Sequence, residues 1–387
     1  MATWHGVRRC GFVMGADTAC EPLAAYDIGK SYDWNYANAP EAAPELEIPA
    51  LPGAWDFCGL PVDSPLGMPA GPLLNSDWIA YYGRLGFSVL TYKTVRSAYR
   101  ACYDLPNLLP VDAAQLTGPA VVSTVSGGGK PVDSWAISFG MPSQNPSVWR
   151  EDVGRARKRL RSDQVLVVSV VASPEDGWSL EQIADDFTRC AVWAMEAGAQ
   201  VIEANLSCPN VCSQEGQLYT SPKASEVVSI RIRDAIGKMP LILKIGLFER
   251  RESVCAFLGA VRNSATALST VNSISASVVD RFGSAQFGGL ARGVGGKCIR
   301  DRSNAEIEMW CDVLRDVAGP DMPLIGVGGI SNFEDVGARM RSGAHHVQLA
   351  TAAMLDPLVA IRIRRELVRS SSTRSLESAY SVVSDCS

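Results

Sequence analysis

The residues of this chain best suited to chemistry are two lysines, one cysteine, and a set of glycine and asparagine turns. Each lies in or just after a short apolar run. Lys93-Thr94 closes the run that starts at Phe87, and Lys244 sits inside Leu-Ile-Leu-Lys-Ile-Gly. A lysine buried in such a run needs an anionic partner, because an isolated ammonium is costly away from water. At a functional site it would stabilise developing negative charge. Cys208 lies in Asn205-Leu-Ser207-Cys208-Pro209-Asn210, between two asparagines in a proline-containing loop. A thiol held there can act as a nucleophile or an acid/base. Cys212, four residues further on and beyond Pro209, is expected to turn away. Gly293-Val-Gly295-Gly296 and Gly326-Val-Gly328-Gly329, with the small residues Ala350-Thr351-Ala352, offer backbone N–H groups that can cradle a phosphate. Gly67-Met-Pro-Ala70-Gly71 and Asn272-Ser273 complete the set. Plainer readings compete: a lone lysine commonly snorkels to the surface, a lone cysteine is commonly a small core residue, and a glycine pair commonly makes a turn.

These residues need elements to hold them. Eight short apolar runs read as strands: 64–68, 87–92, 165–171, 201–206, 241–245, 267–271, 323–327 and 346–350. Between them lie amphipathic stretches that read as helices, at 76–85, 180–197, 221–236, 250–264, 305–317 and 332–342. Several open on a capping residue and close on glycine, as Gly198 and Gly343 do. Alternation of buried strands and helices predicts an α/β fold, a parallel (β/α)8 barrel whose working residues lie at the carboxyl ends of the strands. A doubly wound sheet would need a glycine-rich fingerprint after its first strand, and Pro69-Ala70-Gly71-Pro72 is not one. The gap from Thr94 to Arg161 is too long for one helix, so an insertion follows the second strand, with small strands at 121–125 and 136–139. Residues 1–60 read as an N-terminal extension or arm, 61–365 as the barrel, and 366–387 as a C-terminal tail.

Composition narrows the class. With 47% hydrophobic and 20% charged residues, the chain of 387 is globular rather than disordered. Its net charge of −5 disfavours a sequence-independent nucleic-acid binder. With only 3 histidines, two of them adjacent, a histidine triad or a multi-histidine metal site is not expected. The 11 scattered cysteines form no C-x-x-C pair and suit a reducing compartment. No signal-peptide core or membrane-length apolar run is visible. The expectation is a cytoplasmic protein without metal, membrane or nucleic-acid partner.

At the residues named above the sequence resembles the dihydroorotate dehydrogenase family, including the pyrimidine-reducing domain of dihydropyrimidine dehydrogenase, over about residues 60–360. The motif Asn205-Leu-Ser-Cys208-Pro-Asn210 carries the likeness, together with Lys93, Lys244, Val271-Asn272-Ser273 and Gly326-Val-Gly-Gly-Ile330. The resemblance implies an FMN-containing barrel and an oxidoreductase of pyrimidine metabolism acting on CH–CH bonds. By it, Ala70, Gly71, Lys93, Thr94, Asn205, Lys244 and Val271 surround the flavin, while Gly296, Gly328, Gly329, Ala350 and Thr351 hold its phosphate. Lys93, Phe139, Gly140, Met141, Asn205, Asn210, Asn272 and Ser273 bind a planar pyrimidine-like ring. Hydride passes between ring C6 and flavin N5, with Cys208 as acid/base at C5, as in the soluble branches; the membrane-associated branch has Ser there. Lys244 stabilises the anionic reduced flavin. The asparagine amides suit a ring offering both N–H and C=O. Ile137 stands where the family usually has a substrate-binding Asn, and Arg292 where a glycine is common. The alternatives are a related flavoenzyme acting on another cyclic amide or enone, such as a dihydrouracil-like ring, and a Schiff-base aldolase using Lys244. A homodimer and an electron-transfer partner both remain open.

Overall fold

The computed structural model describes residues 23–41, 43–125, 132–207, 214–317 and 321–371. After the short helix α1 (Tyr32–Ala37) and the hairpin β1 (Trp55–Phe57) and β2 (Leu60–Val62), the chain enters its first barrel strand, β3 (Leu66–Met68). There follow α2 (Ser76–Arg84), β4 (Val89–Val95), β5 (Leu108–Asp112), β6 (Ala120–Thr124), β7 (Ser134–Ile137), α3 (Pro146–Arg159), β8 (Val165–Val170), α4 (Leu180–Ala197) and β9 (Val201–Asn205). The second half comprises α5 (Pro222–Ile236), β10 (Leu241–Lys244), α6 (Arg251–Val261), β11 (Ala267–Thr270), β12 (Ile274–Val279), β13 (Arg292–Gly296) and α7 (Arg300–Asp316). The described residues end with β14 (Leu324–Val327), α8 (Phe333–Arg341), β15 (His346–Gln348), α9 (Thr351–Leu355) and α10 (Val359–Ser371).

Strands β3, β4, β8, β9, β10, β11, β14 and β15 pair in that order, all parallel, and β15 closes onto β3 through Val347↔Leu66 and Gln348↔Gly67. All eight are the runs expected from sequence. They are buried throughout and largely apolar because helices cover the outside and side chains fill the inside. The lower interior is packed by Val89, Val165, Val167, Val201, Ile242, Ala267 and Ile325, and the hairpin plugs it with Phe57 and Val62. His346 faces this end, its Nε2 2.5 Å from Asp56 O, and burial pushes its pKa down to about 4. No helix among the described residues is long and apolar enough to cross a membrane.

Helix α4 shows why the surrounding segments are helical. Ser179 and Gln182 form a reciprocal capping box, and Gly198 ends the helix in the left-handed region at φ 110°. Ile183, Phe187, Cys190, Ala191 and Ala194 form the buried stripe, at the spacing a helix needs to lay one face on a sheet.

The structure adds to the expected insertion. Residues 105–137 supply β5, β6 and β7, but a second insertion, between β11 and α7, supplies β12 and β13. The five close into a small barrel in the order β12, β13, β7, β5, β6. Its core holds Val111, Val122, Ala136, Ile274, Val278 and Val294. Arg292, read from the sequence as part of the phosphate loop, begins β13. Its Nε donates to Ser138 Oγ at 2.7 Å, and its guanidinium lies over the rings of Tyr103 and Phe287. Three further elements were not expected. Helix α3 is the barrel's own helix after β4. Helix α10 continues past residue 365. Helix α1 is fastened to α2 by Trp78 Nε1 donating to Asn35 O (3.0 Å) and Asn75 Nδ2 donating to Tyr36 O (2.8 Å).

Candidate active site

The carboxyl ends of the barrel strands and the rim of the small barrel enclose a cleft of about 740 Å3, counting its open mouth. Gly71 after β3, Lys244 at the end of β10, Asn272 after β11, and Ala350 and Thr351 after β15 line it. So do Gly295 and Gly296 of β13 and Gly328 and Gly329 after β14. Eight of the residues singled out by sequence thus meet in one place: Gly71, Lys244, Asn272, Gly296, Gly328, Gly329, Ala350 and Thr351.

The glycines leave no room for side chains on the protein side. A Cβ on Gly296 would fall 2.2 Å from Asp133 O, and one on Gly329 would fall 2.4 Å from Arg300 Cα. Both have positive φ, 101° and 77°, which L side chains rarely adopt. Gly71 meets nothing within 4 Å, and on Gly295 a Cβ would meet only Ile137 and Thr351, at 3.6 and 4.0 Å. These two positions therefore leave space that a bound group can occupy.

Beneath the cleft the barrel interior turns polar. Lys244 is buried, 4% exposed, and its Nζ lies 3.9 Å from a carboxylate oxygen of Glu203. Glu203 is fully buried, and neither of its oxygens has a hydrogen-bond partner; Ser269 Oγ and Gln348 Oε1 are likewise unpartnered. Their register places them on one face: Glu203 pairs with Ile242, Ser269 with Ile325, and Gln348 with Val327, all three partners in the barrel interior. The anionic partner that Lys244 was expected to need is thus supplied by Glu203. Glu203 was missed from sequence although a carboxylate inside Val-Ile-Glu-Ala-Asn was its signal. Gln348, also missed, had a comparable signal, an amide inside Val347-Gln348-Leu349.

A second group lies beside this one. An irregularity in β4 between Tyr92 and Val95 shifts its register. Thr94 Oγ1 sits 3.0 Å from Ser169 Oγ and 3.4 Å from Asn205 Nδ2, and the same amide nitrogen lies 3.7 Å from Met141 Sδ. Lys93 and Thr94 line a smaller cavity with Tyr32, Tyr36 and Trp149. Asn205 Oδ1 accepts from Ser207 N at 3.2 Å, and Asn272 Nδ2 donates to Ser207 O. The two asparagines therefore brace the backbone at the last described residue of that loop. Cys208, Asn210 and Cys212 lie outside the described residues. Phe139 packs against the rings of Tyr26 and Tyr32, at 6.2 and 6.3 Å. Gly140, at φ 73°, lies under the Tyr103 ring. Ala70, Val271 and Ser273 are buried but do not line the cleft. Ile137 does line it.

The family model for dihydroorotate dehydrogenase matches residues 134–370. A dihydroorotate dehydrogenase of Dictyostelium discoideum is 32% identical over 87% of this chain and 95% of its own length. The chain belongs to the dihydroorotate dehydrogenase family. The catalytic subunit of an NAD(+)-type dihydroorotate dehydrogenase B of Maridesulfovibrio salexigens is 31% identical over 48% of this chain and 59% of its own. A quinone-type enzyme of Sinorhizobium medicae is 27% identical over 85% and 88%. The Eimeria tenella dihydroorotate dehydrogenase, solved with ferulenol, superimposes at a TM-score of 0.67 with 15% identity, over 85% of this chain and 87% of that one. That likeness bears on the fold alone.

As a member of the dihydroorotate dehydrogenase family the chain is an oxidoreductase acting on CH–CH bonds, and the family's cofactor is FMN. This decides against the Schiff-base aldolase. The residues present fit the cofactor. The glycines leave a cradle with two open positions, one buried cation lines the cleft, and Gln348 presents an unpartnered amide oxygen at its base.

Proposed function

We propose that the chain oxidises a dihydroorotate-type ring in this cleft, as a cysteine-base member of its family, with hydrogen leaving ring C6 as hydride and C5 as a proton. The reading is supported above all by the meeting of Lys244, Asn272 and the late-loop glycines in one cleft of a chain belonging to this family. FMN, when bound, supplies the hydride acceptor. The chain's own residues do the rest. Gly296, Gly328, Gly329, Ala350 and Thr351 take the phosphate, and Gly71, Lys244 and Asn205 the ring system. Lys244 offers positive charge where negative charge develops. Asn272 and Asn205 present amides that can donate and accept, and they hold the loop that leads into Cys208. Cys208 takes the C5 proton as general base, and Asn210 shares in binding the ring. Residues 61–365 form the catalytic unit in this reading, with cytoplasmic residence and a homodimer as its setting.

Ile137 favours a second ring. It offers the cleft a methyl group where an amide would hydrogen-bond a polar substituent, and a missing hydrogen bond can cost several orders of magnitude in discrimination. An anaerobic screen of dihydroorotate and dihydrouracil separates the two readings. Dihydroorotate is expected to bleach the flavin faster. Bleaching by dihydrouracil alone would overturn the assignment of the ring while leaving the chemistry in place.

A further inference from the structure

Arg339 lies behind the Gly326-Val-Gly328-Gly329 turn on α8, and its side chain is completely buried. Every partner it has is electrically neutral. Nε donates to Asn304 Oδ1 at 2.6 Å, Nη1 to Val327 O at 2.9 Å, and Nη2 to Gly328 O at 2.8 Å and Arg300 O at 3.4 Å. Among the described residues no carboxylate comes within 4 Å of it. Asp335, on the same helix, is engaged instead by Arg300, at 3.3 Å, and by Ser331. A buried guanidinium without a contacting counter-ion is expensive, and Asp335 favours its charge only from beyond contact distance.

The hydrogen bonds define what the guanidinium does to the turn. The carbonyls of Val327 and Gly328 face it. In a trans peptide the following N–H points the opposite way, so the N–H groups of Gly328 and Gly329 point away from Arg339. Both glycines line the cleft on that other side. The side-chain stem completes the fit, since a Cβ on Gly326 would fall 2.5 Å from Arg339 Cγ. At Gly328, with φ 102°, a Cβ would meet Ser303 Oγ at 2.7 Å. The turn is thus shaped from behind by one charged group.

We propose that Arg339 is a positioning residue for the cofactor phosphate: it aims the Gly328 and Gly329 N–H groups into the cleft, and the phosphate balances its buried charge. The inference rests on the reading that the late-loop glycines hold that phosphate. Arg339 does not touch the ligand; it acts through two peptide planes and through its field, which the dry surroundings screen weakly.

Riboflavin, which has the same ring without the phosphate, provides the test. Deflavinated full-length protein is titrated with FMN and with riboflavin, following quenching of flavin fluorescence. Arg339→Met is expected to weaken FMN binding by about tenfold or more, the scale of a coupling between neighbouring sites, while leaving riboflavin unchanged. Arg339→Lys, which keeps the charge but cannot fork to both carbonyls, should fall between. Equal weakening of FMN and riboflavin, together with a lowered melting temperature of the flavin-free protein, would reduce Arg339 to a structural role and overturn the proposal. If Arg339→Met does not fold, an unchanged FMN preference in Arg339→Lys overturns it equally. Gly295→Asp against Gly295→Asn tests the underlying reading, since a carboxylate in the cradle should repel FMN and not riboflavin. If that pair differs as expected and the Arg339 variants do not, the inference alone fails. If that pair does not differ, the placement of the phosphate fails, and the inference with it.

Discussion

At the scale of the residue, the account turns on a cation, its carboxylate and a thiol. Lys244 and Glu203 share a buried space, so removing either changes the charge beneath the cleft. Lys244→Met should slow flavin reduction by about tenfold or more, because the anionic reduced ring loses its counter-charge; stopped-flow absorbance measures it. Glu203→Gln should act in the opposite sense and raise the flavin midpoint potential, on the order of 30 mV for a tenfold shift in a two-electron couple. A dye-equilibration titration measures that. Replacing Cys208 by Ala should leave FMN bound and cut flavin reduction by about a hundredfold or more, the scale of losing a general base, whereas Cys212→Ala should stay close to the unmodified enzyme. Equal FMN content in both variants is the control, and a fully active Cys208→Ala would move the proton transfer elsewhere.

At the scale of the element, two buried charges hold segments together. Arg364 of α10 is fully buried and donates to Gly86 O at 2.7 Å, Pro49 O at 3.2 Å and Asp63 Oδ1 at 2.8 Å. It joins α10, the turn after α2 and the N-terminal arm. Arg364→Met leaves the carbonyls of Gly86 and Pro49 without this donor, while Asp63 keeps Ser88 and Arg161, and should cost roughly 1–3 kcal/mol in a urea titration. Glu306 of α7 accepts from Phe248 N at 3.1 Å and Trp310 Nε1 at 3.2 Å, and faces Arg302 at 3.0 Å. Burial nonetheless pushes its pKa up to about 7. A carboxyl raised in the folded state is ionised first in the unfolded chain, so its contribution to stability falls as pH rises from about 4.5 to about 7 and is level above that. Glu306→Gln should abolish that fall, which reaches a few kcal/mol at most by linkage, in melting temperatures taken across the window.

The elements also show how far sequence reading reaches. Each of the eight barrel strands was legible, because burial on both faces makes a short, predominantly apolar run. Helix α4 was legible to the residue from its cap and its closing glycine. The small barrel was only half legible. Its strand β13 reads Arg-Gly-Val-Gly-Gly and carries one large apolar side chain, and β5 contains Pro110. Both owe their strand form to partners distant in the chain, as in Gly293↔Ile137 and Leu109↔Ala136. In the site, residues on strand ends could be read from spacing, whereas Arg339 could not. It lies on the polar-looking stretch of a nine-residue helix, and only the fold turns it toward the glycine turn.

At the scale of the whole molecule, two insertions far apart in sequence, after β4 and after β11, close into one small barrel over the mouth of the large one. The large barrel delivers Lys244, Asn272 and Gln348 from its strand ends, and the small barrel contributes Ile137, Gly295 and Gly296 to the opening. One measurement tests the resulting account most directly: anaerobic mixing of the FMN-loaded enzyme with dihydroorotate, unlabelled and deuterated at C6, while flavin absorbance is followed. The account predicts that dihydroorotate bleaches the flavin and that deuterium at C6 slows the bleaching. An absorbance that stays unchanged at saturating dihydroorotate would contradict it.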